Sequence, residues 1–249
     1  MTQWVFDVGN SRLKAAPVHA DGSLGEGLAI PHDEVDVAAA LDAALPQTIT
    51  RTASAALASV ASAARTAAVV DALTRRFGCI SIARTQPALA GVRIAYADPS
   101  RLGVDRFLAL LAARARAVQA WLVVGVGTAV TVDLLDADGL HRGGRIAPSP
   151  TLMRAALERA AAQLPAQGGR YAEFATDTRD ALASGCDGAA LGLIERSRAQ
   201  ARDLLGAMPA LLLHGGGSDA LRPWLPDAVH APALVLEGLA RWARAGIDG

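Results

Sequence analysis

Aromatic side chains make up only 4% of the 249 residues, and the 24 basic residues are matched by 24 acidic ones. Without surplus positive charge or stacking rings, the chain lacks what commonly holds a nucleic acid, and such a partner is excluded. Cysteine is nearly absent as well. Cys79 and Cys186 stand far apart, which rules out a disulfide framework and metal-ligand spacing and suits a reducing compartment. The histidines at 19, 32, 141, 214 and 230 do not cluster along the sequence. Long apolar runs are missing too: "AWLVVGVGTAVTV" falls short of the ~18 residues of a membrane span and is interrupted by Gly125, Gly127 and two threonines. The amino terminus, "MTQWVFDVGN", has neither a basic lead nor an apolar stretch of signal-peptide length. A soluble cytoplasmic protein without membrane partners is expected.

What the chain does have is apolar bulk. At 52% hydrophobic residues it can bury a substantial core, as one large domain or two moderate ones. "QWVFDV" reads as a first strand, and "LKAAPVHADG" as a second that ends in an Asp21-Gly22 turn. "DVAAALDAAL" and the alanine-rich "AALASVASAARTAAVVDALTRRF" read as helices, the second stopped by Gly78. "CISIA" and "GVRIAYA" return to strand, and "GVDRFLALLAARARAVQ" is an amphipathic helix with Asp105 in its first turn.

At residue 121 the pattern restarts. "WLVVGVG", "AVTVDLLDADG" and "LHRGGRIA" read as three strands with a second Asp-Gly turn at 138 and 139. The spacing from Gly127 to Asp138 nearly repeats that from Gly9 to Asp21, which points to an internal duplication with a boundary near residues 117 to 120. Ser149 and Pro150 open a helix, "TLMRAALERAAAQL". After a loop come the helix "CDGAALGLIERSRAQARDLLGA", a buried strand "ALLLHGGG" and a closing helix "ALVLEGLARWARA".

Glycine-turned hairpins suit phosphate. Glycine lets backbone N–H groups approach an anion closely, and neighbouring hydroxyls and amides add donors. In "DVGNSRLK", Asn10, Ser11 and Lys14 could serve in this way, and Asp7 at a strand end could hold Mg²⁺ through water. Two such hairpins and a third glycine cluster, "HGGGSD", favour nucleotide binding over three unrelated tight turns.

Five segments in order, "DVGNSRLK", "YADPSRLGVDR", "GTAVTVD", "GGRIAPS" and "TDTRDALASG", resemble type III pantothenate kinases over most of the chain. More broadly the pattern is similar to that of acetate and sugar kinases, Hsp70 and actin; members of the narrower family are also described as Bvg accessory factors. The resemblance implies an α/β fold of two similar ribonuclease H-like domains, each a mixed sheet with helices, with a nucleotide cleft between them. Residues 1–118 would carry the first phosphate loop, and 119–249 the second phosphate motif and the adenosine-side glycines. It implies ATP-dependent phosphorylation of pantothenate, the first step of coenzyme A synthesis, by a homodimer. By the same resemblance Asp7, Val8, Gly9, Asn10, Ser11, Arg12, Leu13 and Lys14 form the first phosphate loop, with Asp7 near Mg²⁺. Gly127 and Thr128 supply the facing contact, and Gly215 and Gly216 the adenosine side. Tyr96, Gly103, Val104, Asp105 and Arg106 line the pantothenate pocket, Thr178 is the contact that a dimer partner reaches across to supply, and Asp105 is the general base.

A carboxylate in a helix's first turn is stabilised as the anion and is therefore a weaker base. Phosphoryl transfer tolerates this, because its loose transition state relies on positioning and charge neutralisation. Two departures from the family pattern stand out. Its second hairpin usually begins with an aspartate that helps bind a monovalent cation, and Gly125 stands there, so need for Mg²⁺ but little need for K⁺ or NH₄⁺ is expected. "APSP" at 147 to 150 replaces a usual proline-glycine. A kinase for another small hydroxy acid, or a non-catalytic nucleotide-binding regulator of the same fold, are the alternatives.

Overall fold

A computed structural model of the chain describes residues 3–32, 36–161, 163–165 and 167–246. The chain divides into two compact units, residues 1–117 together with 233–249, and residues 118–232.

In the first unit, β1 (Gln3–Val8) pairs antiparallel with β2 (Arg12–Val18), which pairs antiparallel with β3 (Leu28–Pro31). On its other side β1 runs parallel to β4 (Ser54–Ser59), and β4 to β5 (Cys79–Ile82), so the sheet order is β3-β2-β1-β4-β5. Alternation places Trp4, Phe6 and Val8 on one face with Leu13, Ala55 and Leu57. That face is covered by α1 (Val37–Ala44) and α2 (Ala63–Thr74) through Val37, Leu41, Val69 and Leu73. Phe77 closes the cluster, its ring edge-on to Phe6 at 5.6 Å. Each such aromatic or aliphatic side chain contributes roughly 1.5–3 kcal/mol by leaving water.

β4 corrects the sequence reading, which ran one helix from residue 55 to 77. Alanine is the best helix former, but "SAALAS" is short, almost wholly buried and flanked by parallel strands. Its small side chains suit a central strand with helices packed on both faces, and burial overrides propensity. The helix starts later, where the Ser62 hydroxyl accepts from the Arg65 amide at 3.3 Å. A short hairpin, β6 (Ala88–Leu89) and β7 (Val92–Arg93), takes the place of the expected strand over 91–97. After it comes α3 (Val104–Arg116), as expected.

The second unit repeats the plan. β8 (Trp121–Val126) pairs antiparallel with β9 (Ala129–Leu135), and β9 with β10 (His141–Pro148). α4 (Pro150–Ala160) follows, with Ser149 capping it and Pro150 at its first position. α5 (Thr178–Leu205) begins about two turns before the expected helix, because the Asp177 carboxylate caps the amides of Arg179 and Asp180. β11 (Ala210–His214) runs parallel to β8 and to β12 (Val229–His230), with the short α6 (Ser218–Leu221) between them. The order β10-β9-β8-β11-β12 matches the first sheet strand for strand, so the duplication read from the glycine turns extends to topology. Leu122, Val124 and Val126 pack with Leu211 and Leu213 against Ala190, Leu191 and Ile194 of α5. Among the described residues no helix is long and apolar enough to cross a membrane.

The closing helix α7 (Leu234–Ala245) corrects a boundary. The sequence reading put it in a 119–249 domain, but it packs on α3, β1 and β4 and belongs to the first unit. Its apolar face, Leu236, Leu239, Ala240 and Ala243, is buried there, and Arg244 donates to the carbonyls of His19, Ala20 and Asp21. The helices touch backbone to backbone: a Cβ on Gly238 would stand 1.9 Å from the Leu108 carbonyl oxygen. Gly238→Ala must push the two helices apart, at about 2–3 kcal/mol or more in chemical denaturation. A variant within 0.5 kcal/mol of wild type, roughly the scatter of harmless surface changes, would refute that packing.

Candidate active site

In the first unit the candidate groups gather at the carboxyl end of β1. The hairpin turn from Gly9 to Arg12 closes through the Gly9 amide, which donates to the Arg12 carbonyl at 3.0 Å. Asn10, Ser11 and Arg12 are exposed at its tip, whereas the side chains of Val8 and Leu13 are fully buried in the core, leaving only their backbone for a ligand. Asp7 lies directly across from Lys14 in the ladder and is partly buried. Burial, and after it the negative charge of Asp105, push the Asp7 pKa up to about 7, against a smaller downward pull from Lys14.

Asp105 comes to this place on the first turn of α3. Gly103 precedes the helix with no side-chain cap, and a Cβ on it would lie 2.7 Å from the Asp105 carboxylate, which therefore folds back over the glycine. The segment before it is fixed at both ends: the Asp98 carboxylate accepts from the Ser100 amide at 3.0 Å, and Thr85 donates to the Leu102 carbonyl at 2.7 Å. Arg106 is buried, its Nη1 donates to the Tyr96 hydroxyl at 3.3 Å, and its guanidinium carbon stands 6.0 Å from the Tyr96 ring centroid. The unit thus brings Asp7, Lys14 and Asp105 together, and joins Tyr96 to Arg106.

A carboxylate whose pKa is raised by burial and by a second carboxylate is short of positive charge. Its hard oxygens suit a divalent cation such as Mg²⁺. Among the described residues no three or more His, Cys, Asp or Glu gather into a metal cage.

In the second unit the turn after β8 exposes Gly127 and Thr128, and the Gly127 amide donates to the Ala129 carbonyl at 2.9 Å. The glycine cluster after β11 packs directly on it. Gly217 donates to the Val126 carbonyl at 2.9 Å, and Gly215, at a φ of +92°, has no room for a Cβ, which would stand 2.3 Å from that same oxygen. Ser218 holds the cluster, its hydroxyl donating to the Gly215 carbonyl at 2.6 Å and lying 3.0 Å from His230 Nε2. Thr178 is exposed as the first residue of α5. "APSP" is ordered as a helix cap, with the Ser149 hydroxyl accepting from the Leu152 amide at 3.2 Å. The cavity of about 230 Å³ between β10 and α5 is lined by none of the candidate residues.

Two neighbours of these turns escaped the sequence reading. Arg65 of α2 donates to the Asn10 carbonyl at 3.0 Å, bringing a guanidinium to the first turn across 55 residues. His214 pairs in register with Gly125, and a Cβ on Gly125 would lie 2.8 Å from Thr131 Oγ1 and 2.9 Å from His214 Cε1 and Nε2. No local pattern marks either residue; both follow from strand and helix register.

Two sheets of the same order, each with a central strand that runs into a glycine turn, make this a two-unit α/β fold. The sequence profile of the type III pantothenate kinase family matches residues 4–200, and the chain belongs to that family. Type III pantothenate kinases of Stenotrophomonas maltophilia and Xanthomonas axonopodis pv. citri are 58% and 56% identical over 243 and 245 residues, 98% of each chain. Among solved structures, a Campylobacter jejuni protein assigned to the Baf family of transcriptional activators superposes with a TM-score of 0.63 at 16% identity, over 99% of this chain and 100% of that one. A Sinorhizobium meliloti protein assigned as a 2-dehydro-3-deoxygalactonokinase gives 0.57 at 16%, over 98% of each. At such identities the structures speak for the fold alone.

The Asp7 environment has a consequence for pH. Between pH 3.8 and about 7 the folded, ligand-free protein holds a proton that the unfolded chain has lost. This contribution to stability is complete below the lower value and is lost as the pH rises through the upper one. Urea midpoints taken from pH 5 to 8 are expected to decline in wild type relative to Asp7→Asn. Parallel profiles would rule out the raised pKa.

Proposed function

We propose that the protein transfers the γ-phosphoryl group of ATP to the primary hydroxyl of pantothenate, giving 4'-phosphopantothenate for coenzyme A synthesis. Family membership supports the reaction. What supports its assignment to residues is the placing of Asp7, one residue before the end of β1, and Asp105, on the first turn of α3, near enough for the second charge to push the Asp7 pKa up. One carboxylate sits beside a phosphate-type turn and the other heads a helix beside Tyr96 and Arg106. This is the division a kinase needs between nucleotide side and acceptor side.

In this reading the amides and polar side chains of residues 9 to 12, with Lys14, hold phosphate oxygens, and Gly127 and Thr128 do so from the second turn. Gly215 and Gly216 take the adenosine side. Mg²⁺, held by Asp7 through water, neutralises charge on the phosphates when bound. Arg106, its guanidinium oriented by the Tyr96 hydroxyl, meets the pantothenate carboxylate with two parallel donors. Asp105 accepts the hydrogen bond of the pantothenate hydroxyl and orients its lone pair on the γ-phosphorus. As the new O–P bond forms and the bond to the β,γ-bridging oxygen breaks, the proton passes to Asp105 and ADP leaves.

Gly125 bears on cation dependence. A carboxylate there would collide with His214 and Thr131, so the second turn has no acidic ligand at that place for K⁺. The reading includes turnover in its absence. It also includes a cytoplasmic homodimer in which Thr178 reaches the partner's pocket. Phe174, 97% exposed four residues earlier, is an apolar side chain that such an interface would cover.

The test is pantothenate-dependent ADP release with MgATP in sodium buffer. Robust turnover is expected, with less than a tenfold gain on adding K⁺; a larger gain would refute the cation reading, and silence with and without K⁺ would favour a regulator or another acceptor. Asp105→Asn is expected to lower kcat by roughly 10²–10⁴-fold while leaving ATP affinity in place. Normal turnover by that variant would remove Asp105 from the chemistry.

A further inference from the structure

The parallel ladder of the second unit sets His214 beside Gly125, at the carboxyl ends of β11 and β8. Ligands of open α/β sheets gather at such strand ends. Two residues on from Gly125 is the exposed turn of Gly127 and Thr128, and immediately after His214 is the cluster Gly215 to Gly217. The two turns are joined at the Val126 carbonyl, which accepts from Gly217. His214 therefore ends a strand between both elements assigned to the nucleotide.

Its ring lies on the face of the sheet opposite α5. Leu122, Val124 and Val126 point to the face packed by α5, and alternation sends Gly125 and Thr131 to the opposite face. The His214 imidazole lies over that face: its Nε2 and Cε1 stand 2.9 Å from where a Cβ of residue 125 would be, with Thr131 Oγ1 at 2.8 Å. The side chain is partly exposed. An imidazole nitrogen, a hydroxyl and two glycine turns rich in backbone amides make a donor set for a polyanion.

We propose that His214 is a further nucleotide-binding residue of this site: its imidazole donates to the phosphates, and residue 125 is glycine because the ring occupies the volume a side chain would need. The proposal rests on the ATP-binding part of the function above and extends it to a residue pair. Gly125 and His214 then act as one unit. A methyl group at 125 displaces the ring, because a histidine side chain can swing whereas the backbone beneath it cannot.

Isothermal titration with ADP and with adenosine separates a phosphate contact from a structural one. His214→Ala is expected to weaken ADP roughly tenfold, as for one hydrogen bond to a charged group, and to leave adenosine unchanged. Gly125→Ala is expected to reproduce that loss with histidine still present, and the double variant to lose no more than either single change. Equal weakening of ADP and adenosine, or no change in ADP affinity, would overturn the proposal. Should Gly125→Ala fail to fold, His214→Ala alone decides it. Wild type that binds no ADP overturns both this proposal and the kinase reading. Wild type that binds ADP without phosphorylating pantothenate overturns only the choice of acceptor, since the His214 comparison is read on ADP.

Discussion

A central strand buried on both faces can carry a polar group at low cost only near its end, and both sheets are organised by that constraint. Among the residues of β1 only Asp7 ionises, one position before the strand stops. β8 has none, and Gly125 and Gly127 flank its last residue, Val126. Beside them, Lys14 faces Asp7 across one ladder, and Thr131 and His214 flank Gly125 across two others. On the two central strands ionisable side chains are therefore kept to one end, while β9 carries the buried Asp133 only in a pair with His141 at 2.9 Å.

The two copies solve this problem with different residues at equivalent places. In register, Asp7 of the first corresponds to Gly125 of the second, Lys14 to Thr131, and Ala58 to His214. The first copy carries a carboxylate on the central strand, between Lys14 and the small Ala58. The second carries its titratable ring on the neighbouring strand beside a residue with no side chain. Space is conserved across the pair while charge is not, so the repeated fold presents unlike groups at the two equivalent strand ends.

Much of this was legible in the sequence because it is local. The strands of both hairpins, the amphipathic helix over α3 and the ordered family segments are set by near neighbours and by turn chemistry. β4 was not, because its alanines favour a helix until parallel strands form on both sides. The place of α7 was not, because a helix's docking partner leaves no trace in its own periodicity. At the site, Asp7 and Asp105 stand in recognisable segments. Arg65 and His214 gain their meaning only from Asn10 and Gly125, which lie 55 and 89 residues away.

The return of α7 to the first unit also orders the protein's birth. During synthesis the first sheet emerges early, yet the face of β1 and α3 that receives Leu236, Leu239 and Ala240 stays open while the whole of residues 118–232 is translated. At the ~5–20 residues per second of a ribosome this is an interval of several seconds. The nascent first half must spend that time with this apolar surface uncovered.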